Sequence, residues 1–417
     1  MKIQKSLPFS LPIVLKRKYR ILLALLSLSA VVLATGCGGD GKNDSSLRPQ
    51  SYSKRCGLED VPATGNQLPE PEGAFCIGKT SVHLVDSNRS ETFTEKDSDF
   101  REFSLSIWFP AQASGASKRA PYMDAALLDI VAFTGNPEER FSSKVKVFTN
   151  ARENAEIPSL GKFPVVLFSP GLGANSESYS GLLEDIASHG YIVVAIDHAY
   201  VSGATRLQDG NLVTSTLGEA TEQAGDSSEP EDAATSIVVE DQRFVLGWLQ
   251  GAGASTPAKK ILAGHLDMQH ITTMGHSYGG STSVQTSRVE PLVQAAIDLD
   301  GTIYGDKMGP WLKPMMFLQS ERHYSVVHDY SLQTGIPEED LSSFDYVWNH
   351  RQQPGIRRVI PGTGHSDFGD LKFLAKAYSK TLTADEYQAL GLGSIEYAEA
   401  MKQIRRLCQE FLSTLAR

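Results

Sequence analysis

Cysteine is scarce. Four thiols stand in 417 residues, at Cys37, Cys56, Cys76 and Cys408, with no C-x-x-C pair and no zinc-type spacing. The His265, Asp267 and His270 group is the nearest approach to a ligand set, but no further carboxylates gather beside it, and no metal or other cofactor is expected. Positive charge is in deficit, with 39 Lys and Arg against 49 Asp and Glu, a net charge of -10, and no basic block beyond the N-terminus. A phosphate backbone is therefore excluded as a partner, and with it nucleic acid. Long apolar runs are missing as well. The main one, Ile21 to Leu33, is shorter than the roughly 20 residues that span a bilayer comfortably.

What the N-terminus does have is a targeting pattern. Lys2, Lys5, Lys16, Arg17, Lys18 and Arg20 precede that apolar run, and small residues follow it. Leu33-Ala34-Thr35-Gly36-Cys37 resembles a bacterial lipoprotein signal, in which Cys37 is acylated and becomes the mature N-terminus. Ala34 is a less usual residue at its place, and an ordinary secretory signal or an uncleaved anchor is the alternative. Export is expected in each case. The resemblance also implies an outer-membrane destination, because Gly38 rather than Asp follows the cysteine. Residues 38–75, rich in Gly, Asp, Ser, Asn and Pro at their start, read as a flexible tether, and 76–417 as one catalytic domain. In an oxidising compartment the favoured pair is Cys56 with Cys76, leaving Cys408 as a small buried hydrophobe on a C-terminal helix.

Hydrophobic residues make up 41% of the chain, enough for a large core. The stretch 101–110 alternates as a strand, with Ser81 to Val85 as a partner. Two helix-like patterns, Asp124 to Phe133 and Glu138 to Asn150, make 122–155 a segment that could cover a site or simply pack. Pro164 to Phe168 and Ile192 to Ile196 are continuous apolar runs of the kind buried in a parallel sheet, separated by a glycine loop and the helix Ser176 to His189. From 208 to 233 the composition turns to Gly, Ser, Thr and acids, read as a solvated loop before a helix over Thr235 to Leu249. Further short strands, Leu292 to Leu299, Pro314 to Leu318 and Arg357 to Ile360, and a closing helix Tyr397 to Leu415, give an α/β class with a mostly parallel central sheet and helices on both faces.

The chemistry centres on Ile271 to Gly280. A β-branched run reaches Gly275-His276-Ser277-Tyr278-Gly279 and restarts among residues suited to a helix, the strand-turn-helix setting in which a serine hydroxyl is held exposed as a nucleophile. Attack on an acyl carbon also needs a base, an acid to orient it, and amide donors for the oxyanion. In the order expected for such a fold the acid follows the serine, and the base comes last. His365 leaves the last strand in the loop Pro361-Gly362-Thr363-Gly364, where a base belongs; His276, His323, His328 and His350 lack that setting. For the acid, Asp300 is preferred because Gly301 ends its strand, with Asp298 and Glu321 as alternatives. The amides of Leu172, in the glycine loop after the first buried strand, and of Tyr278 are the expected oxyanion donors.

Four pieces, FPVVLFSPGLGANSESYSGLLEDIASHGYIVVAIDH (163–198), GHSYGG (275–280), AIDLDG (296–301) and PGTGHSDF (361–368), resemble the secreted and intracellular platelet-activating-factor acetylhydrolases and their lipase and esterase relatives. The resemblance runs from Phe103 to about Ala377 and implies an α/β-hydrolase fold, with Ser277, Asp300 and His365 as triad and Leu172 and Tyr278 as oxyanion donors. It further implies calcium-independent hydrolysis of short or oxidised acyl groups on phospholipids, at a membrane reached through the lipid anchor. Pro170 stands where the family commonly has His, and the acidic stretch need not follow it, so a broad carboxylesterase or polyester hydrolase is a second expectation. A third is a lipid-anchored binding protein on a hydrolase scaffold. A dienelactone-type hydrolase is disfavoured, since its elbow carries Cys in place of Ser277.

Overall fold

In the computed structural model, residues 51–58, 66–96, 98–113, 117–128, 146–225, 227–251, 255–378 and 381–415 are described. The expected leader, Cys37, the first part of the tether and all of 129–145 fall outside them. Strands β1 (Cys76–Ser90), β2 (Phe100–Ala111), β3 (Arg119–Pro121) and β4 (Phe148–Glu153) come first. They are followed by β5 (Phe163–Ser169), helix α1 (Ser180–Ser188), β6 (Ile192–His198), the hairpin β7 (Ala204–Arg206) and β8 (Leu212–Thr214), and helices α2 (Thr216–Ala224) and α3 (Glu229–Leu249). The site-bearing half is β9 (Leu266–His276), α4 (Tyr278–Val289), β10 (Val293–Leu299), β11 (Met315–Ser320), α5 (Glu321–Thr334), α6 (Ser343–His350), β12 (Gly355–Ile360) and the closing helix α7 (Tyr397–Leu415).

Ten strands form one sheet in the order β12-β11-β10-β9-β5-β6-β2-β1-β4-β3. The run from β12 to β6 is parallel, and β2 joins it antiparallel to β6. Strand period decides how this sheet is covered. Val166 and Phe168 of β5 and Val193 and Ala195 of β6 face the layer containing α1 and α7, through Leu182, Leu183, Ile404 and Phe411. Val165, Leu167, Ile192, Val194 and Ile196 face the opposite layer, where Val245, Leu246 and Trp248 of α3 pack. Apolar residues on both faces explain the absence of alternation in these two strands. The result is an α/β-hydrolase fold.

Three expectations need correction. The tether does not extend to residue 75: Tyr52, Cys56, Leu58 and Leu68 are buried, Tyr52 Oη donates to Asn150 O (3.1 Å), and Arg405 Nη1 donates to Glu70 O (3.1 Å). A few large apolar side chains in a polar string are enough to dock it, and the Cys56–Cys76 disulfide joins it to β1. The acidic stretch is not a loop. Ser215 Oγ accepts the Gly218 amide (3.0 Å) to start α2, and α3 begins at Glu229, with Pro230, Glu231 and Asp232 in its first turn. Acids and a proline there suit the positive end of a helix dipole. Finally, the end of the second expected helix in 122–155 is strand β4, because Ala151 to Glu153 pair with Ile77 to Lys79 of β1, a contact remote in sequence. Cys408 is buried and unpaired on α7. Among the described residues no helix is long and apolar enough to cross a membrane.

Candidate active site

The turn after β9 is sharp. Ser277 has φ 54° and ψ -124°, a left-handed conformation that costs a non-glycine residue about 1–3 kcal/mol. Its neighbours leave no room for side chains: a Cβ on Gly275 would lie 2.2 Å from Gly279 C, and one on Gly279 would lie 2.1 Å from Ser169 O. These approaches hold α4 against the end of β9 and lift Ser277 Oγ over the C-terminal edge of the sheet. Strand β10 lies beside β9 in register Leu299 to His276, and the Ser277 amide donates to Leu299 O (2.9 Å). The next residue, Asp300, is also in the left-handed region (φ 58°) and so turns its carboxylate back toward the serine.

His365 enters from the loop after β12. Its Nε2 is 2.9 Å from Ser277 Oγ and its Nδ1 is 2.8 Å from Asp300 Oδ2, so the three side chains form one hydrogen-bonded line. The histidine side chain is 45% exposed while the aspartate is fully buried, which leaves the imidazole reachable and the carboxylate dry. The loop is pinned from behind by Asp367, whose carboxylate accepts the Gly364 amide (2.8 Å) and the Gly393 amide (2.6 Å) and pairs with Lys372 (2.8 Å). Burial alone would push the Asp300 carboxyl up; the adjoining His323 and His365 imidazoles more than offset it and hold the group well below the usual carboxylate range. Asp300 is therefore an anion throughout the neutral range.

The alternative acids do other work. Glu321 Oε2 accepts the Gly362 amide (3.0 Å), bracing the base loop through its backbone. Asp298 is fully buried, accepts the Gly301 amide (2.8 Å), and lies where any Cβ on Gly280 would strike it. Burial, first, and the nearby Asp300 charge push its carboxyl well above the ordinary range despite the Gly301 amide. His270 bonds Asp267 (2.7 Å), and His265 Nδ1 is 3.3 Å from Gly161 O, so the pair is not gathered around a common point. Among the described residues no three His, Cys, Asp or Glu side chains could hold a metal ion together.

Of the glycine-loop amides, Gly171 donates to Tyr179 Oη (3.2 Å), Gly173 to Val201 O (3.0 Å) and Ala174 to Gly171 O (3.0 Å). Leu172 is the one between Gly171 and Ala174 whose amide has no acceptor among the described residues. The Tyr278 amide is the first of α4 and so has no intrahelical acceptor. Gly171, Leu172, Ser277 and His365 line one cleft of about 260 Å³, completed by Ala174, Tyr179, Leu371 and Leu374. The glycine loop, a serine and an imidazole therefore border a common space, and Tyr278 follows the serine in the chain.

A model of the family described as platelet-activating factor acetylhydrolase, isoform II, matches residues 64–221 and 256–415, more than half of the chain. The chain belongs to that family. It is 26% identical over 368 residues to a platelet-activating factor acetylhydrolase of Cavia porcellus, covering 83% of this chain and 77% of the relative. It is 26% identical over 271 residues to a probable 1-alkyl-2-acetylglycerophosphocholine esterase of Arthroderma benhamiae, covering 60% of this chain and 64% of that one. Among solved structures, a ferulic acid esterase from Streptomyces cinnamoneus superposes with a TM-score of 0.67 at 26% identity, covering 84% of this chain and 93% of the other. This acetylhydrolase-family chain is a carboxylic ester hydrolase of the serine type.

Sequence reasoning passed over several residues that this family member builds into the site. Tyr179 Oη is 2.8 Å from His276 Nδ1, and His276 Nε2 is 2.8 Å from His365 O. Since the Gly171 amide already donates to Tyr179, the phenol donates to Nδ1 and His276 keeps its proton on Nε2. The chain Gly171, Tyr179, His276, His365 thus ties the glycine loop to the His365 loop behind Ser277. Burial, then the neighbouring His365, bring the His276 pKa down to about 3, consistent with that neutral tautomer. Tyr278 is held in turn by α3: its Oη donates to Glu231 O (3.1 Å), and its ring packs with Val201, Leu217 and Val238. The segment read as a solvated loop is therefore the wall behind Tyr278. A second serine-histidine-aspartate line also exists, with Ser169 Oγ 3.1 Å from His198 Nε2 and His198 Nδ1 2.8 Å from Asp241 Oδ2. All three are buried, and Arg101 closes the far side through Asp241.

Proposed function

We propose that Ser277 is the nucleophile, His365 the general base and acid, and Asp300 the orienting anion of an acyl-enzyme hydrolase that cleaves esters with short acyl groups, phospholipid esters among them. The supporting observation is the unbroken 2.9 Å and 2.8 Å line from Ser277 Oγ through His365 to Asp300, opening on a cleft that Gly171 and Leu172 of the glycine loop also line. In the first half-reaction Ser277 Oγ bonds to the ester carbonyl carbon as its proton passes to His365 Nε2. The carbonyl oxygen takes the negative charge, facing the amides of Leu172 and Tyr278; each such donor is typically worth about 3 kcal/mol in the transition state. Collapse expels the alcohol, which takes the proton from His365. Water then gives a proton to the same imidazole as its oxygen bonds to the acyl carbon. The bond from that carbon to Ser277 Oγ breaks, Oγ takes the proton back from His365, and the carboxylic acid leaves.

The cleft is small for a ligand site, below the roughly 300–1,000 Å³ of drug-sized pockets. That favours a short acyl chain with the remainder of the ester outside. The names of the curated relatives favour an acetylated glycerophospholipid, and the ferulic acid esterase likeness supports a second reading, a broader carboxylesterase. Turnover of p-nitrophenyl esters from acetate to palmitate, of a short-chain phosphatidylcholine and of methyl ferulate separates these readings. Preference for methyl ferulate over both p-nitrophenyl acetate and the short-chain phosphatidylcholine overturns the first. Fluorophosphonate should label the wild type and not Ser277→Ala; equal labelling of both would remove the nucleophile assignment.

The same proposal extends to location. The N-terminal pattern ending in Cys37 supports export and lipid anchoring, and a Cys56–Cys76 disulfide suits an oxidising compartment. Cys37→Ser should move the protein from the membrane to the soluble fraction of the cell envelope. Retention in the membrane would sink the anchor.

A further inference from the structure

Asp300 is shared by two imidazoles. On Oδ2 it accepts from Ser320 Oγ (2.8 Å) and His365 Nδ1 (2.8 Å); on Oδ1 it accepts from the Ser320 amide (2.7 Å) and meets His323 Nδ1 at 3.2 Å. His323 stands in the first turn of α5, where its own amide donates to Ser320 Oγ (3.1 Å), so one serine caps the helix, donates to the acid and fixes the second imidazole. The His323 ring packs toward Phe344 of α6 (6.4 Å), and its side chain is about one-fifth exposed (21%). It does not line the cleft that holds Ser277 and His365, and so would not meet the substrate.

We infer that His323 is a positioning residue that sets the strength of the base: by sharing the Asp300 carboxylate with His365 it limits how strongly that carboxylate stabilises protonated His365. This rests on the triad reading above. A single aspartate can compensate one imidazolium fully, or two partially, and the 3.2 Å contact places the second one on the opposite oxygen of the same group. The titratable and charged groups facing His323 are Asp300, the Asp298 carboxyl that burial pushes toward its neutral form, Asp345 of α6, itself paired with Arg357 of β12 (2.5 Å), and His365 across the shared carboxylate. Burial opposes protonation of His323, but the Asp300 contact outweighs it and raises its pKa. The carboxylate it shares with His365 therefore favours protonation of His323, and the protonated ring competes for Asp300.

The test is His323→Asn, which keeps a neutral N–H near the Nδ1 position but removes the charge, beside His323→Leu, which removes both. The pH dependence of kcat/KM for p-nitrophenyl acetate should show its acid limb moved upward in His323→Asn by about half a unit to one unit. That is roughly three- to tenfold lower kcat/KM at a pH on the limb, with the plateau changed less than about threefold. His323→Leu should show the same displacement with a lower plateau as well. Histidine ¹⁵N NMR reads the effect without turnover, since the His365 titration should move upward by the same interval in His323→Asn. An acid limb and a His365 titration in both variants superimposable on the wild type, within about 0.2 unit, overturn the inference even if thermal stability falls, since that would be a purely structural role. Failure of the triad reading is a separate result: Ser277→Ala would retain turnover, while the NMR displacement tests the shared carboxylate on its own.

Discussion

Replacing Asp300 by Asn perturbs the site by a single atom, and the hydrogen bonds around it dictate the outcome. Four donors converge on the carboxylate, two on each oxygen. A carboxamide offers only one oxygen, so one pair of donors must face an NH₂ group. If the NH₂ lies toward His365, Nδ1 must accept instead of donate, the imidazole proton moves to Nε2, and the atom 2.9 Å from Ser277 Oγ can no longer take a proton. Wrong-tautomer losses of this kind are about 10⁴-fold in kcat, or about 5 kcal/mol of transition-state stabilisation. If the NH₂ lies the other way it opposes the Ser320 amide, and a buried unsatisfied donor costs about 1–3 kcal/mol of stability. The expected result for Asp300→Asn is thus a kcat lowered by about 10³–10⁴, with a thermal midpoint lowered by several degrees and KM changed little. Glu321→Gln, which disturbs only a bond to the Gly362 amide, should stay within about threefold of wild type. Stopped-flow release of p-nitrophenol from the acetate ester gives acylation directly, and circular dichroism checks the fold. If Glu321→Gln lost as much activity as Asp300→Asn, the reasoning from donor geometry would be wrong.

Tyr179→Phe removes the acceptor for the Gly171 amide and the donor to His276; a roughly tenfold lower kcat with nearly unchanged KM is expected, and a loss confined to KM would refute the positioning argument. Cys56→Ser with Cys76→Ser releases a loop with a sequence separation of 20, which should lower stability by about 3 kcal/mol in urea titrations; an unchanged midpoint would mean that packing of Tyr52 and Leu68 alone holds the segment. His276 has a folded pKa of about 3 against 6.5 unfolded, so the unfolded chain binds the extra proton. The resulting loss of stability is absent above 6.5, grows as pH falls toward 3, and amounts to about 1.4 kcal/mol per unit. Glu184, raised to about 7, and Asp370, raised to about 6, in both cases chiefly by burial, act with the opposite sign between those values and their unfolded ones near 4. The measurable quantity is therefore the difference between wild type and His276→Gln, whose urea midpoints should diverge below pH 6; parallel curves would refute the neutral buried imidazole.

The central strands were legible because β5 and β6 are apolar on both faces, a pattern that a surface element cannot show. Ser277 and His365 were legible for a related reason: glycines crowd the turns that expose them, and the close approaches at Gly275 and Gly279 show why. Asp300 followed from the strand end at Gly301. What was not legible depends on contacts distant in the chain. The helix-like pattern over Glu138 to Asn150 runs into residues 148–150, yet they open a strand whose next residues, Ala151 to Glu153, pair with β1. The acidic stretch has helix-starting chemistry at Ser215 and Pro230, but its composition suggested solvent until Leu217, Ala234 and Val238 were seen packed behind Tyr278. His323 was set aside as a polar-stretch histidine, although Ser320, just after a buried strand, is the N-cap that carries it to Asp300.

The buried line Ser169–His198–Asp241 draws a boundary around geometry as a guide to chemistry. Its spacings nearly duplicate those of Ser277–His365–Asp300, and in His198 burial outweighs the pull of Asp241 and lowers the imidazole pKa. Yet Gln242 Nε2 also holds the Ser169 hydroxyl (3.1 Å), and no part of that serine reaches the cleft. One molecule thus carries the same three-residue pattern twice, once sealed and once open to visitors. A reagent that seeks reactive serines will count one per chain, and the difference between the two hydroxyls lies in who can arrive.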